Sequence, residues 1–335
     1  MILKFRFPRR AFAAVALFAL LSACAPQPQS VPTQSLEADL TAWMARSGIK
    51  QATLGMVKDG RTLRQIDKGR SATRAYPTAS LSKAVTAMCL NSTLANSPFS
   101  WNSTLGSMSA PLARRNLSPT PNTKALTLAD FATHQTGLKT KMDQGNGSVV
   151  SLDQFTQKRL AKAALERADN QTKRRGFVYS NANYAVLGEV IEGIANKPYA
   201  NHCGATILRP AGVTGASVSG TFAATQSFGG WSMSVIDYAK FASHWFGPNR
   251  PWVKNPNAYP FEKRTGYGLG VFSGVGPQAG WISHGGEWNH PDPALRHGSV
   301  FVVAPSGAAV AVTWQGNVPV RTVLDLIQVL QAHLR

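Results

Sequence analysis

At 335 residues the chain is long enough for one large domain or two closely packed ones. Its 35 Lys and Arg residues against 16 Asp and Glu give a net charge of +19, which favours anionic surroundings such as lipid headgroups or cell-wall polymer. No basic-aromatic motif accompanies that charge, which argues against nucleic acid as a partner. Beyond residue 21 no apolar stretch approaches membrane-spanning length.

The chain begins with a basic segment (Lys4, Arg6, Arg9, Arg10) and an apolar run from Ala11 to Leu21 that is short for a mature membrane helix. The run ends in Leu21-Ser22-Ala23-Cys24, which resembles a bacterial lipoprotein cleavage box. That resemblance implies a signal peptide over residues 1–23, lipidation of Cys24, and export to a lipid-anchored place in the cell envelope. In a Gram-negative cell this would be the periplasmic face of the outer membrane. The simpler alternative is a secretion signal with an incidental cysteine. Losing residues 1–23 removes four basic residues and no acidic one, so 31 basic against 16 acidic residues leave +15. Residues 24–35, rich in Pro, Gln and Ser, read as a flexible tether with nothing to bury.

Ser35 to Arg46 has Leu36, Leu40 and Met44 on one helical stripe, closed by Gly48. Gln51–Lys58 and Arg61–Asp67 flank Asp59-Gly60, a hairpin signal. Ser80 opens an apolar helix to about Leu90. The stretch from 91 to 246 is mostly helix and loop, with helices expected at Leu126–His134, Leu152–Arg167, Asn183–Ala195 and Val235–Trp245. Strands are expected at Tyr267–Phe272, Trp281–Ser283, Ser299–Val303 and Ala308–Thr313, and a last helix at Val320–Leu334. The order predicts an α/β chain of the α+β type. An antiparallel sheet (about 36–79 and 247–335) is flanked by terminal helices, a mostly helical part (about 80–246) grows from its middle, and a cleft lies between the two.

Cys89 and Cys203 remain after Cys24. Export permits a disulfide between them, but two small buried thiols are the slightly favoured expectation, since spacing alone cannot bring their Cα atoms together.

Ser80-Leu81-Ser82-Lys83 places a lysine one turn above a serine at a helix start. The helix N-terminus favours developing negative charge, and a desolvated lysine can exchange a proton with the hydroxyl. Ser47-Gly48-Ile49-Lys50 repeats the spacing across a helix end, where it cannot hold that geometry. Tyr179-Ser180-Asn181 supplies a phenol whose ionised form a nearby ammonium would stabilise, followed by the helical Ala182–Glu189. Tyr199-Ala200-Asn201 has the same pattern without the strand-like Gly176-Phe177-Val178 before it. His284-Gly285-Gly286 ends a strand, with two more strands following; its main competitor is Arg264-Thr265-Gly266.

In this order the three elements resemble the class C β-lactamase and D,D-peptidase family of serine hydrolases. The resemblance implies Ser80 as nucleophile and Lys83 and Tyr179 as proton-handling partners. It further implies Asn181, His284, Gly285 and Gly286 at the substrate, and an oxyanion hole from the backbone N–H groups of Ser80 and Glu287. Two echoes, Leu126–Leu138 with its His134-Gln135-Thr136-Gly137-Leu138 turn and Gly229–Ser234, resemble structural turns of the same family.

The expected reaction is acyl-enzyme hydrolysis of an amide or ester: a cell-wall D-Ala peptide, an ester or a β-lactam. A histidine where β-lactamases usually carry lysine weighs against efficient β-lactam hydrolysis. The alternatives are a non-hydrolytic binder of cell-wall peptide or penicillin and a carboxylesterase with no cell-wall role. No cofactor is expected, since no phosphate-binding Gly-rich loop occurs, and no metal, since His284, Glu287, His290 and His297 match no helical zinc spacing. A monomer is expected.

Overall fold

The computed structural model describes residues 35–138, 156–166, 176–274 and 278–335. The expected leader with Cys24, the expected tether up to residue 34 and both ends of the helix expected at 152–167 lie outside these residues.

Helix α1 (Leu36–Ser47) begins where the Ser35 hydroxyl accepts the Ala38 N–H and ends at Gly48 in the left-handed conformation. It leads into the hairpin β1 (Ala52–Lys58) and β2 (Arg61–Lys68), turned by Asp59 and Gly60 at φ 49° and 76°. Short strand β3 (Tyr76–Pro77) and a 3₁₀ turn over Ala79–Leu81 precede α2 (Ser82–Ala95). Helices α3 (Ser109–Arg114), α4 (Pro121–Lys124), α5 (Leu128–Ala132), α6 (Gln157–Glu166), α7 (Asn181–Ala195) and α8 (Tyr199–Cys203) follow. Strands β4 (Ser217–Val218) and β5 (Trp231–Met233), then α9 (Val235–Phe246) and α10 (Pro251–Lys254), complete the middle of the chain. The return to the sheet is β6 (Tyr267–Gly268), β7 (Val271–Ser273), β8 (Ile282–Trp288), β9 (His297–Val303) and β10 (Ala309–Gln315), and α11 (Val320–His333) closes the chain.

The main sheet is antiparallel, in the order β2-β1-β10-β9-β8-β7-β6. Alternation along β9 sends Val300 and Val302 to a core with α1 and α11, and Phe301 and Val303 to the larger core with the helices. Burial on both faces explains why β9 and β10 read as continuous apolar runs rather than alternating ones. The expected architecture, an antiparallel sheet between terminal helices with a helical region built from mid-chain, is the one observed. A second sheet, β3-β5-β4, links the segment before Ser80 to the segment before α9.

Two strand expectations need correction. Tyr267–Phe272 is a tight hairpin rather than one strand, turned by Leu269 and Gly270 at φ 51° and 75°. A Cβ on Gly270 would collide with the backbone of Lys83, so the turn is seated directly against α2. Strand β8 does not end at His284 but runs through both glycines to Trp288, paired with β9 throughout.

The two cysteines are also corrected. Cys89 on α2 and Cys203 on α8 form a disulfide with Cα atoms 5.3 Å apart and 114 residues between them in sequence. Each is fully buried; the sequence shows the burial but not the pairing. In the chain-entropy picture a loop of this length stabilises by up to about 4–5 kcal/mol. Replacing both cysteines by alanine is expected to lower unfolding free energy by about 2–5 kcal/mol in urea titration, and non-reducing peptide mapping should recover the 89–203 pair. An unchanged midpoint would contradict this role.

Candidate active site

The chain approaches Ser80 along β3 and is pinned just before it. Thr78 donates its N–H and its hydroxyl to the Trp231 carbonyl at 2.9 and 2.8 Å, and its own carbonyl accepts the Ser299 hydroxyl at 2.7 Å. Ala79 then takes φ 49°, a left-handed conformation costing about 1–2 kcal/mol for a residue with a Cβ. That turn swings the chain from strand to helix and leaves Ser80 partly exposed at the head of α2. Ser82, one residue before Lys83, instead faces β5, where its hydroxyl accepts the Trp231 N–H at 3.2 Å.

Lys83 is fully buried. Its Nζ donates to Ser80 Oγ at 3.0 Å, to Asn181 Oδ1 at 2.7 Å and to the Phe228 carbonyl at 3.0 Å. Three acceptors match the three protons of an ammonium, which makes a buried charge tolerable at this position. Asn181 opens α7, and its side chain is oriented by the lysine. The Phe228 carbonyl is a partner that sequence reasoning missed, because a backbone oxygen carries no residue signature. The residue before it is held twice: the Ser227 N–H donates to Gln157 Oε1 at 3.1 Å, and the Ser227 carbonyl accepts the Thr86 hydroxyl at 2.5 Å. The Gly229–Ser234 turn follows this carbonyl directly.

Tyr179 lies on the extended stretch entering α7, its ring centroid 5.0 Å from Lys83 Nζ. It stands 4.4 Å from the His134 ring and 6.2 Å from the His284 ring, centroid to centroid. The competing Tyr199 is instead fully buried, its hydroxyl 2.6 Å from Thr86 Oγ1 and accepting the Trp231 indole N–H at 3.0 Å. The segment from Arg264 to Gly266 is a turn organised by Glu262, whose carboxylate accepts the N–H groups of Arg264 and Thr265.

His284 sits on β8 at 3% exposure, with Nε2 3.4 Å from the Tyr267 hydroxyl. Burial, and then the charge of Lys83, push its pKa down to about 3, so the imidazole is neutral. Two residues on, a Cβ at Gly286 would lie 2.9 Å from the Ser80 nitrogen and 2.8 Å from the Thr78 carbonyl, so β8 passes against Ser80 only because no side chain intervenes. Gly285 points the other way, its missing Cβ facing Val323 of α11 at 3.4 Å. Its expected place at the substrate therefore reduces to its backbone edge. Glu287 follows with its side chain exposed. His290 and His297 lie further along this end of the sheet. Among the described residues no group of three His, Cys, Asp or Glu side chains could hold a metal.

A hydroxyl at a helix head, a buried amine in contact with it and a phenol beside that amine are the components of nucleophilic acyl transfer. A family profile described as Beta-lactamase matches residues 36–334. Among solved structures, the chain is similar to the octameric penicillin-binding protein homologue from Pyrococcus abyssi, with a TM-score of 0.70 and 17% identity over 88% of this chain and 76% of that one. It is similar also to the D-stereospecific amidohydrolase from Streptomyces sp., with a TM-score of 0.66 and 17% identity over 90% and 98% of the two chains. The D-amino acid amidase from Ochrobactrum anthropi SV3 gives 0.61 and 15% identity over 89% and 97%. At such identities the structures speak for the fold alone. No curated protein matches the chain significantly in sequence. Matched from residue 36 almost to its last residue, the chain belongs to the Beta-lactamase family of serine hydrolases.

Proposed function

We propose that the protein is a serine hydrolase that cleaves an ester or amide through an acyl-enzyme on Ser80. The observation that carries this reading is the buried Lys83 ammonium bridging Ser80 Oγ and Asn181 Oδ1 beside the Tyr179 ring. In this reading Tyr179, its phenolate stabilised by Lys83, takes the Ser80 proton as Oγ bonds to the substrate carbonyl carbon. The carbonyl oxygen gains the negative charge and rests on the backbone N–H groups of Ser80 and Glu287. Tyr179 then passes its proton to the leaving amine or alcohol as the carbonyl-to-leaving-group bond breaks. Water repeats the sequence and frees the acid. Because Asn181 Oδ1 is turned to Lys83, its amide N–H₂ is the end offered to substrate.

The neutral His284 narrows the substrate class. A β-lactam or a free C-terminal peptide brings a carboxylate that a permanent cation would bind at this strand position, and His284 provides none at neutral pH. The reading therefore favours an ester, or an amide such as a D-amino acid amide. The amidase and amidohydrolase among the structural neighbours, by their descriptions, lend weight to the second. An exported, lipid-anchored protein held through Cys24 is part of the same proposal, and the Cys89–Cys203 disulfide supports it, because such bonds persist in oxidising compartments.

Steady-state rates on a short-chain nitrophenyl ester, a D-amino acid amide, a D-Ala-D-Ala peptide and nitrocefin test the reading. Ser80→Ala is expected to abolish fluorophosphonate labelling and lower ester turnover by more than about 10³-fold. Nitrocefin should have the lowest kcat/KM, and rapid nitrocefin turnover would overturn the substrate assignment. Labelling and ester turnover that survive in Ser80→Ala, or are missing in the wild type, would overturn the reaction itself.

His284 also predicts acid sensitivity. Its folded pKa is depressed below the usual 6.5, so the unfolded chain binds the proton first as pH falls. The stability present above pH 6.5 is then lost on the way down towards pH 3. Between pH 7 and pH 5 this single group is expected to cost about 2 kcal/mol, measured by urea denaturation against His284→Asn. A variant with the same pH dependence as wild type would contradict the burial of a neutral imidazole.

A further inference from the structure

One buried imidazole takes no part in the steps above yet contacts the loop they depend on. His134, at the end of α5, is fully buried and has φ 56°, a conformation in which Asn, Asp and His are enriched among non-glycine residues. Its carbonyl accepts the Val178 N–H at 2.8 Å. Its Nδ1 lies 3.2 Å from the Ser180 nitrogen and 2.9 Å from Asn183 Nδ2. The residues on either side of Tyr179 are thus bonded to this one histidine, and the Tyr179 ring packs 4.4 Å from its own.

The tautomer follows from the partners. Ser180 N–H can only donate. The Asn183 Oδ1 is occupied by the Thr136 hydroxyl at 2.7 Å, which turns Nδ2 to the imidazole. The Nδ1 lone pair is therefore shared by the two donors, and the ring proton is on Nε2, which is buried without a hydrogen-bond partner among the described residues; the rings of Tyr267, Tyr184 and Phe177 pack on the imidazole at centroid distances of 4.7, 5.2 and 5.9 Å. Burial and the charge of Lys83 hold the imidazole pKa well below its usual value, which keeps Nδ1 an acceptor. A carboxylate could accept the same bonds but would add a charge close to Lys83; a neutral imidazole does not.

We infer that His134 is a positioning residue for Tyr179: a neutral acceptor shared by two donors, itself oriented through the Thr136–Asn183 pair, that fixes where the phenol stands relative to Lys83 and Ser80. The inference rests on the reading of Tyr179 as the proton carrier. A misplaced phenol hinders proton delivery to the leaving group, so the defect should grow with the basicity of that group. A merely structural defect would lower the active fraction and slow every substrate alike.

The test compares His134→Leu, His134→Asn and Thr136→Val on a nitrophenyl ester and on the corresponding ethyl ester. Rates are expressed per site titrated with fluorophosphonate. Asparagine tolerates the positive φ and keeps a neutral acceptor near the Nδ1 position. His134→Leu is expected to lose about 10–100-fold in kcat on the nitrophenyl ester and about tenfold more on the ethyl ester, with KM little changed. His134→Asn should recover most of both. Thr136→Val, which leaves the imidazole in place and frees Asn183, is expected to show the same ester-dependent loss at about 3–10-fold, and it decides the matter if His134→Leu does not fold. Equal losses on the two esters, unaltered rates in Thr136→Val, or no recovery in His134→Asn would each overturn the positioning role while wild-type turnover stands. A wild type that neither labels nor turns over would overturn the underlying reading instead.

Discussion

The candidate active site is arranged around one buried charge. An ammonium removed from water is costly unless each proton has an acceptor, and Lys83 meets that condition with three atoms from three different parts of the chain: its own helix head, the start of α7 and the carbonyl of Phe228. Satisfying the lysine therefore fixes the relative placement of Ser80, Asn181 and the loop before β5. The same charge bears on its neighbours, helping to keep His284 and His134 neutral. A polar group at the centre of a fold acts here as a register device.

The surrounding structure holds α2 from several sides. The Leu269-Gly270 turn rests on the backbone of Lys83. The Tyr238 hydroxyl, from α9, donates to the Leu81 carbonyl at 2.9 Å. The disulfide ties the helix to α8, and β8 slides past the Ser80 nitrogen at Gly286. These supports come from both the sheet and the helical region, so a helix head carrying a strained Ala79 is kept in one geometry. The strain at that residue is local, whereas the contacts that oppose it are spread through the core.

Much of this was legible in the sequence. Hydrophobic periodicity gave the terminal helices and the long helices of the middle. The Asp59-Gly60 turn gave the first hairpin, and ordered motifs pointed to the residues that the structure brings together around Lys83. The rest was not, for identifiable reasons. A two-residue turn at Leu269-Gly270 hides inside a run of strand-forming residues, because one of its positive φ values belongs to a leucine. Two glycines at 285 and 286 look like a strand end, yet the strand runs through them, and Gly286 lets it pass close to the backbone of Thr78 and Ser80. The pairing of Cys89 with Cys203 and the Phe228 carbonyl depend on tertiary proximity, which no local pattern encodes. His134 lay in a turn whose motif was visible. Its bonds to the Tyr179 loop appear only once α5 and α7 are packed together.

The placement of Ser80 depends most directly on the buried Lys83 ammonium. Substituting Lys83→Met removes the charge and nearly preserves the volume. The decisive measurement is kcat/KM on a nitrophenyl ester for that variant, taken on protein shown to unfold cooperatively with its disulfide intact. A fall of more than about 10³-fold is expected if Lys83 organises Ser80 for acyl transfer. Activity within about tenfold of wild type would contradict that role.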